Sequence, residues 1–181
     1  MFKINSLLRI FALVVLAALA AGCVTPASSL NQEANDAVQE FRNQVNGADV
    51  FLDQAAGYLV FPKVYKAGIG VGGETGEGVL RVGGSVVDYY RVAAGSVGFQ
   101  FGAQAKSIVI VFMTREALNR FRKSEGWRVG VAGSVALIDR GAGKTIDSDH
   151  VREPIVGCIS GSKGLMDNLT LEGTKFTKID R

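Results

Sequence analysis

Glycine and bulky apolar residues alternate along the middle of this chain, and no other feature restricts its folds as strongly. Over residues 67–75, Ala67, Ile69 and Val71 alternate with Gly68, Gly70 and Gly72. Over residues 96–104, Val97, Phe99, Phe101 and Ala103 alternate with Ser96, Gly98, Gln100, Gly102 and Gln104. Over residues 127–137, Trp127, Val129, Val131, Val135 and Leu137 alternate with Arg128, Gly130, Ala132, Ser134 and Ala136. Successive side chains on a strand point to opposite faces, so each stretch reads as a strand with one bulky face and one small or polar face. Glycine weakens a strand interior, and its repetition on one face implies that something comes close to the backbone there. Another packed layer and a ligand groove both fit that pattern.

The remaining periodicity completes an α+β reading. Ala34, Ala37, Val38, Phe41 and Val45 recur at helical spacing over residues 32–46, and Gly47 stands where that helix would end. A second short helix is expected over residues 48–56. Thr75, Gly76, Glu77 and Gly78 read as a hairpin loop between strands at 66–74 and 79–84. Further strands are expected at 86–93, 108–113, 154–160 and 169–179, the last as a hairpin around Gly173. One helix is inserted among them. Thr114 is its N-cap, Ala117, Leu118 and Phe121 form its buried stripe, and Gly126 lies past its end. Successive short strands with one inserted helix favour a mainly antiparallel, strongly twisted sheet, sandwich or barrel-like, over a parallel one.

The amino terminus carries a different signal. Lys3 and Arg9 precede an apolar run of 12 residues from Ile10 to Ala21, and Gly22 leads into Cys23. A membrane-spanning helix needs about 20 residues, whereas a secretory signal peptide has this charged start, short apolar middle and small-residue end. A cysteine at the cleavage point marks a lipoprotein signal, with Cys23 taking a diacylglycerol on sulfur and an acyl chain such as palmitate on nitrogen. The expected organisation is a signal peptide at 1–22, a lipidated terminus and tether at 23–30, and one domain at 31–181. Seven tether residues reach at most about 25 Å, which would keep the domain at the membrane surface. Val24 is not the aspartate that commonly retains lipoproteins in an inner membrane. The expected place is therefore the periplasmic face of an outer membrane.

Lys3 and Arg9 supply two of the formal +3 charge, which leaves +1 for the residues after 22. That balance lacks the electrostatic footprint of a nucleic-acid-binding protein. With Cys23 acylated, Cys158 is the one remaining thiol, so no intramolecular disulfide is available. Its setting, Ile155-Val156-Gly157-Cys158-Ile159, is that of a small buried hydrophobe.

Several strings imitate catalytic or binding motifs. Gly68, Gly70 and Gly73 satisfy the dinucleotide-binding spacing, but that motif must leave a strand and open a helix, and here strand follows strand. Gly141-Ala142-Gly143-Lys144-Thr145 ends like a phosphate-binding loop, yet Ile138 stands where its first glycine is required. His150, the single histidine, lies among Asp147, Asp149 and Glu153 without a distant ligand to complete a metal site. These readings imply a non-enzymatic protein with no metal and no cofactor. The basic residues are more suggestive: Arg115, Arg120, Arg122, Lys123 and Arg128 cluster, and Lys63, Lys66, Arg81, Arg91 and Lys106 punctuate the strands. They fit either a solvated face or a surface turned to anionic headgroups.

Ordered blocks of residues resemble the SYLF domain. Gly57-Tyr58-Leu59-Val60-Phe61-Pro62, Lys66-Ala67-Gly68-Ile69-Gly70-Val71-Gly72-Gly73 and Gly76-Glu77-Gly78-Val79-Leu80-Arg81 are similar to its opening blocks. Gly95-Ser96-Val97-Gly98-Phe99-Gln100-Phe101-Gly102-Ala103-Gln104 with Ile108-Val109-Ile110-Val111-Phe112 is similar to its central block. Gly126-Trp127-Arg128-Val129-Gly130 and Gly161-Ser162-Lys163-Gly164-Leu165-Met166 resemble its bacterial branch. The resemblance implies a lipid-binding module. Eukaryotic relatives associate with phosphoinositide membranes and some fungal ones with actin, which an exported lipoprotein would not meet. Lys66 matches the lysine of the family's Lys-Ala-Gly block and is the first candidate for a headgroup contact, with Lys63, Arg81 and Arg91 beside it. The expected partners are membrane phospholipid and the bilayer that holds the acyl anchor. The alternative is an envelope scaffold whose acyl chain is its only lipid contact, with a protein partner the sequence does not name.

Overall fold

A computed structural model describes residues 25–98, 103–138, 152–161, 171 and 173–181, without the side chains of 67–71, 96–98, 103, 104 and 161. The expected signal peptide, Cys23, and residues 139–151 with Lys144 and His150, lie outside the described residues. So does the Gly161-to-Met166 block beyond Gly161. The elements in order are α1 (Ala27–Gln44), α2 (Ala48–Gln54), β1 (Gly57–Val82), β2 (Ser85–Gly98), β3 (Ala103–Phe112), α3 (Arg115–Lys123), β4 (Trp127–Arg128), β5 (Ala136–Ile138), β6 (Ile155–Gly161) and β7 (Lys175–Ile179). The strands form one sheet in the order β4-β7-β2-β1-β3-β6-β5, antiparallel except for β5 against β6. The α+β architecture agrees with the sequence, and the sheet is curled into a half-barrel.

The curl follows from β1. An extended strand of 26 residues would span about 85 Å, whereas a domain of this size is about 40 Å across. β1 resolves the conflict by doubling back. A Cβ built on Gly57 would lie 2.8 Å from the Arg81 carbonyl oxygen, and one on Gly78 would lie 2.6 Å from that of Val60. One on Gly76 would collide with the Lys63 carbonyl. Residues 57, 60–61 and 63–64 thus meet 81, 78 and 76 in reverse order, so the two halves of one strand face each other across the concave side. Only glycine admits that approach. These three glycines lie outside the alternating stretches, and the layer packed on them is the strand's own other half.

This use of glycine overturns one expectation. Residues 75–78 are not a hairpin loop; β1 runs through them, pairing Glu77 with Arg91 and Gly78 with Tyr90. The turn comes at Gly83 and Gly84, whose φ values of 58° and 81° are the left-handed pair needed by a two-residue hairpin. β2 and β3 then follow β1 from end to end, with Gly70 opposite Gly98 and Ala67 opposite Ala103. The strand expected over 96–104 straddles their junction, and residues 99–102 lie outside the described residues. The strand expected over 127–137 is also corrected. Gly130, at φ 84°, turns the chain, so that β4 joins one edge of the sheet and β5 the opposite edge.

Two cores flank the sheet. On the concave side, Phe121 of α3 lies 4.8 Å, ring to ring, from both Tyr90 and Phe112 and 5.6 Å from Trp127. Thr114 caps α3 as expected, accepting from the Ala117 amide at 3.2 Å. The helix ends at Ser124, whose hydroxyl donates to the Phe121 carbonyl, and not through Gly126. On the convex side, Leu30, Ala34, Val38 and Phe41 of α1 and Phe51 of α2 bury Val60, Val79, Val109, Val111 and Val156. Leu30 extends the apolar stripe by one turn, so α1 begins at Ala27, inside the stretch expected to be tether. No helix among the described residues is long and apolar enough to cross a membrane.

Gly78→Val is expected to destabilise the protein by about 3 kcal/mol, as overpacking at a backbone contact does. Gly95→Ala, at a site with nothing within 4 Å, is expected to leave the melting temperature unchanged. Thermal unfolding of the two variants checks both.

Candidate functional site

The residues expected to meet headgroups divide between the two faces of the sheet. Lys66 projects into the curl. Its ammonium lies 3.3 Å from Glu74 of the opposing half of β1, and Lys106 of β3 lies 2.5 Å from the other Glu74 oxygen. The side chains are 18%, 11% and 6% exposed respectively for Lys66, Glu74 and Lys106. This triad spans the concave side at the end where the aromatic core stops. It links three strand segments in addition to the glycine contacts. Lys66 therefore sits within an internal ion cluster.

Lys63, Arg81 and Arg91 lie on the convex side, each with a partner. Lys63 donates to Glu33 of α1 at 2.6 Å, and that hydrogen bond holds its ammonium above the usual lysine range. Arg81 donates to Asn35 of the same helix. Arg91 lies 3.0 Å from Glu77, which Arg181 also engages. Alternation on α1 explains the pattern: Asn31, Glu33 and Asn35 flank the buried stripe and meet Tyr89, Lys63 and Arg81. The structure does not gather these cations into one unneutralised patch.

The basic cluster at 115–128 is likewise split. Arg122 faces inward to Asp88 at 2.9 Å, where Lys178 of β7 supplies a second cation. Asp88 is buried, and Tyr90, two residues on, points the same way with its hydroxyl buried and unpartnered. Burial pushes the Tyr90 phenol up to about 12; the Asp88 charge adds to the shift and Arg122 opposes it. Arg128 points to the opposite face, because its neighbour Trp127 fills the core.

Sequence reasoning missed what Arg128 meets. It pairs directly with Lys175 of β7, which in turn lies opposite Ala93 of β2. Arg128, Lys175 and Arg91 are all exposed, on a convex surface that α1 and α2 leave uncovered. Gly126 gives the Lys175 stem its place, since a Cβ there would fall 2.6 Å from its Cε. Among the described residues neither Arg128 nor Lys175 has a carboxylate within ion-pair distance. The chain then turns through Gly130, and Val131 at the turn is 82% exposed. Like charges directly opposite on neighbouring strands oppose each other. An arrangement of this kind is suited to an anionic partner. The one sequence sign of it is the alternation of Lys175, Phe176 and Thr177, which carries no hint of the strand beside it.

Residues 93–180 match a family model described as Ysc84: Las17-binding protein actin regulator. The match is consistent with the resemblance of the sequence blocks to a SYLF domain. The match begins within β2, so it takes in β3, α3 and β4–β7, and the resembling blocks at 57–81 precede it. Arg128 and Lys175 both fall inside the SYLF match. No curated protein matches the chain. Among the described residues no group of three or more histidine, cysteine or acidic side chains is placed to hold a metal ion.

Glu74→Gln would leave two inward ammonium groups without their carboxylate. Breaking a buried pair in this way costs about 3–5 kcal/mol, and urea denaturation is expected to show a loss of that order. Tyr90 gives a pH dependence of defined sign. Between its usual value of 10.0 and about 12 the unfolded chain releases the phenolic proton while the folded chain keeps it, so stability falls as pH rises through that window. Tyr90→Phe is expected to remove that part of the alkaline loss without destabilising the fold at neutral pH, because the hydroxyl has no partner.

Proposed function

We propose that this protein is a periplasmic lipoprotein, acylated on Cys23, whose SYLF domain binds phospholipid without catalysing a reaction. The observation that carries the reading is the Arg128–Lys175 pair inside the family match, which has no carboxylate partner among the described residues. The Lys66–Glu74–Lys106 cluster is internal bracing under this reading, and headgroup contact passes from Lys66, Lys63 and Arg81 to Arg128 and Lys175, with Arg91 beside them. The anchor belongs in the outer membrane, on its periplasmic face, since Val24 replaces the aspartate of inner-membrane retention. The family description refers to an actin regulator, but an exported protein has no actin to regulate, so that activity is not transferred.

One observation favours a second reading. Lys63, Lys66, Arg81 and Arg91 all have partners within the domain. That is the pattern expected of an envelope scaffold whose acyl chain is its only lipid contact.

Flotation of residues 25–181 with phosphatidylglycerol-containing vesicles separates the two. Co-flotation that weakens with added salt is expected for the lipid-binding domain. A domain that stays at the bottom of the gradient with every vesicle, and carries no lipid by mass spectrometry, leaves only the scaffold.

A further inference from the structure

The place where the chain enters the domain fixes which side of it can face a bilayer. Arg181 donates to the Thr25 carbonyl and to Glu77 with the same guanidinium, and its side chain is 6% exposed. Thr25 is thus tied to the neighbourhood of Glu77, on the outer side of β1. Cys23 is two residues earlier, a reach of at most about 7 Å.

The strand register defines what else lies on that side. Glu77 is opposite Arg91, and Arg91 is opposite Thr177. Two residues along, Thr75, Ala93, Lys175 and Arg128 form the next cross-strand row. Residues two apart on a strand share a face, so both rows point outward together. The two rows lie about 7 Å apart, and the longer one is about 14 Å across its three inter-strand steps. Among the described residues, Arg91 and Arg181 share Glu77 there, and Arg128 and Lys175 stand beside them with no carboxylate of their own. The helices cover the convex side over β1, β3, β6 and the Val86–Tyr89 part of β2, and leave Arg91 and Ala93 of β2 exposed beside Lys175 of β7 and Arg128 of β4. The turn carrying exposed Val131 leaves directly from Arg128, with the Ala132 amide donating to the Arg128 carbonyl at 2.8 Å.

We infer that the outer face of β4-β7-β2 is a docking surface for an anionic bilayer, with Arg128 and Lys175 on headgroups and Val131 entering the interface, and that Arg181 holds the anchored terminus beside it. This rests on the lipoprotein reading above and adds the orientation. Charge complementarity selects the occupant: basic groups close to an anionic leaflet are drawn to it, and an apolar tip next to them gains by leaving water. Anchor and docking face act together, since the acyl chain keeps the face at high local concentration against the bilayer.

The test uses the full acylated protein, reconstituted into vesicles of phosphatidylglycerol and phosphatidylethanolamine, with an environment-sensitive fluorophore on Val131→Cys or, as a control, on Val50→Cys of α2. Val50 is also exposed. The expected result is a blue-shifted emission at position 131, quenched by headgroup-labelled lipid, with neither change at position 50. Replacing Arg128 and Lys175 together by Gln should abolish the quenching at 131 while the protein still floats on its acyl chain. Both residues are exposed, and an unchanged melting temperature shows that the fold is intact. A label at 131 that stays in water while the acylated protein floats overturns this orientation and leaves the anchor reading standing. So does quenching at 131 that survives the double substitution. A protein that does not float, with Cys23 unmodified by intact mass, overturns both.

Discussion

Everything in this domain depends on the contact of β1 with itself. A strand too long for the molecule must bend, and it bends most compactly where its own backbone can be touched. Gly57, Gly76 and Gly78 remove the three side chains that would otherwise keep the halves apart. β2 and β3 pair with those halves in turn, so the whole sheet inherits the curvature. The aromatic group around Phe121 then fills the concave side at one end, and the Lys66–Glu74–Lys106 cluster braces it at the other.

Curvature also decides which surfaces remain free. A curled sheet has an inside, which α3 and Trp127 fill, and an outside, which two short amino-terminal helices cannot cover completely. They lie over β1, β3 and β6, where valines provide the apolar surface. Beyond the Tyr89–Ile179 pair, which α1 reaches, the paired outer positions of β2, β7 and β4 are Arg91, Ala93, Thr177, Lys175 and Arg128. Nothing in that row supplies an apolar face for a helix to bury. The bare surface is thus a consequence of composition at alternate strand positions.

Local patterns were legible before any coordinates. The Thr114 cap, the Ala117–Leu118–Phe121 stripe and the antiparallel strands at 86–93 and 108–113 depend on neighbours within a few residues. Failures occurred where glycine has more than one use. At 75–78 it looked like a loop and serves a backbone contact; at 130 it looked like a strand position and serves a turn. Local sequence does not separate these uses, because each asks only that no side chain be present. Lys66 shows the same limit for charge. Its place in the strand could be inferred, but Glu74 and Lys106 reach it only after β1 has folded over.

The amino-acid sequence by itself determined the alternation of the strands, the helix with its cap, the absence of a cysteine pair after Cys23 and the resemblance to SYLF domains. All of these are set by neighbouring residues or by ordered motifs. Only the tertiary structure decided that β1 closes on its own backbone, that four cations expected to be free are partnered, and that Arg128 meets Lys175 while Arg181 reaches Thr25. Those pairings join positions from 8 to 156 residues apart along the chain. Their geometry is set by the curvature of the sheet, a property of all its strands together and of no segment alone.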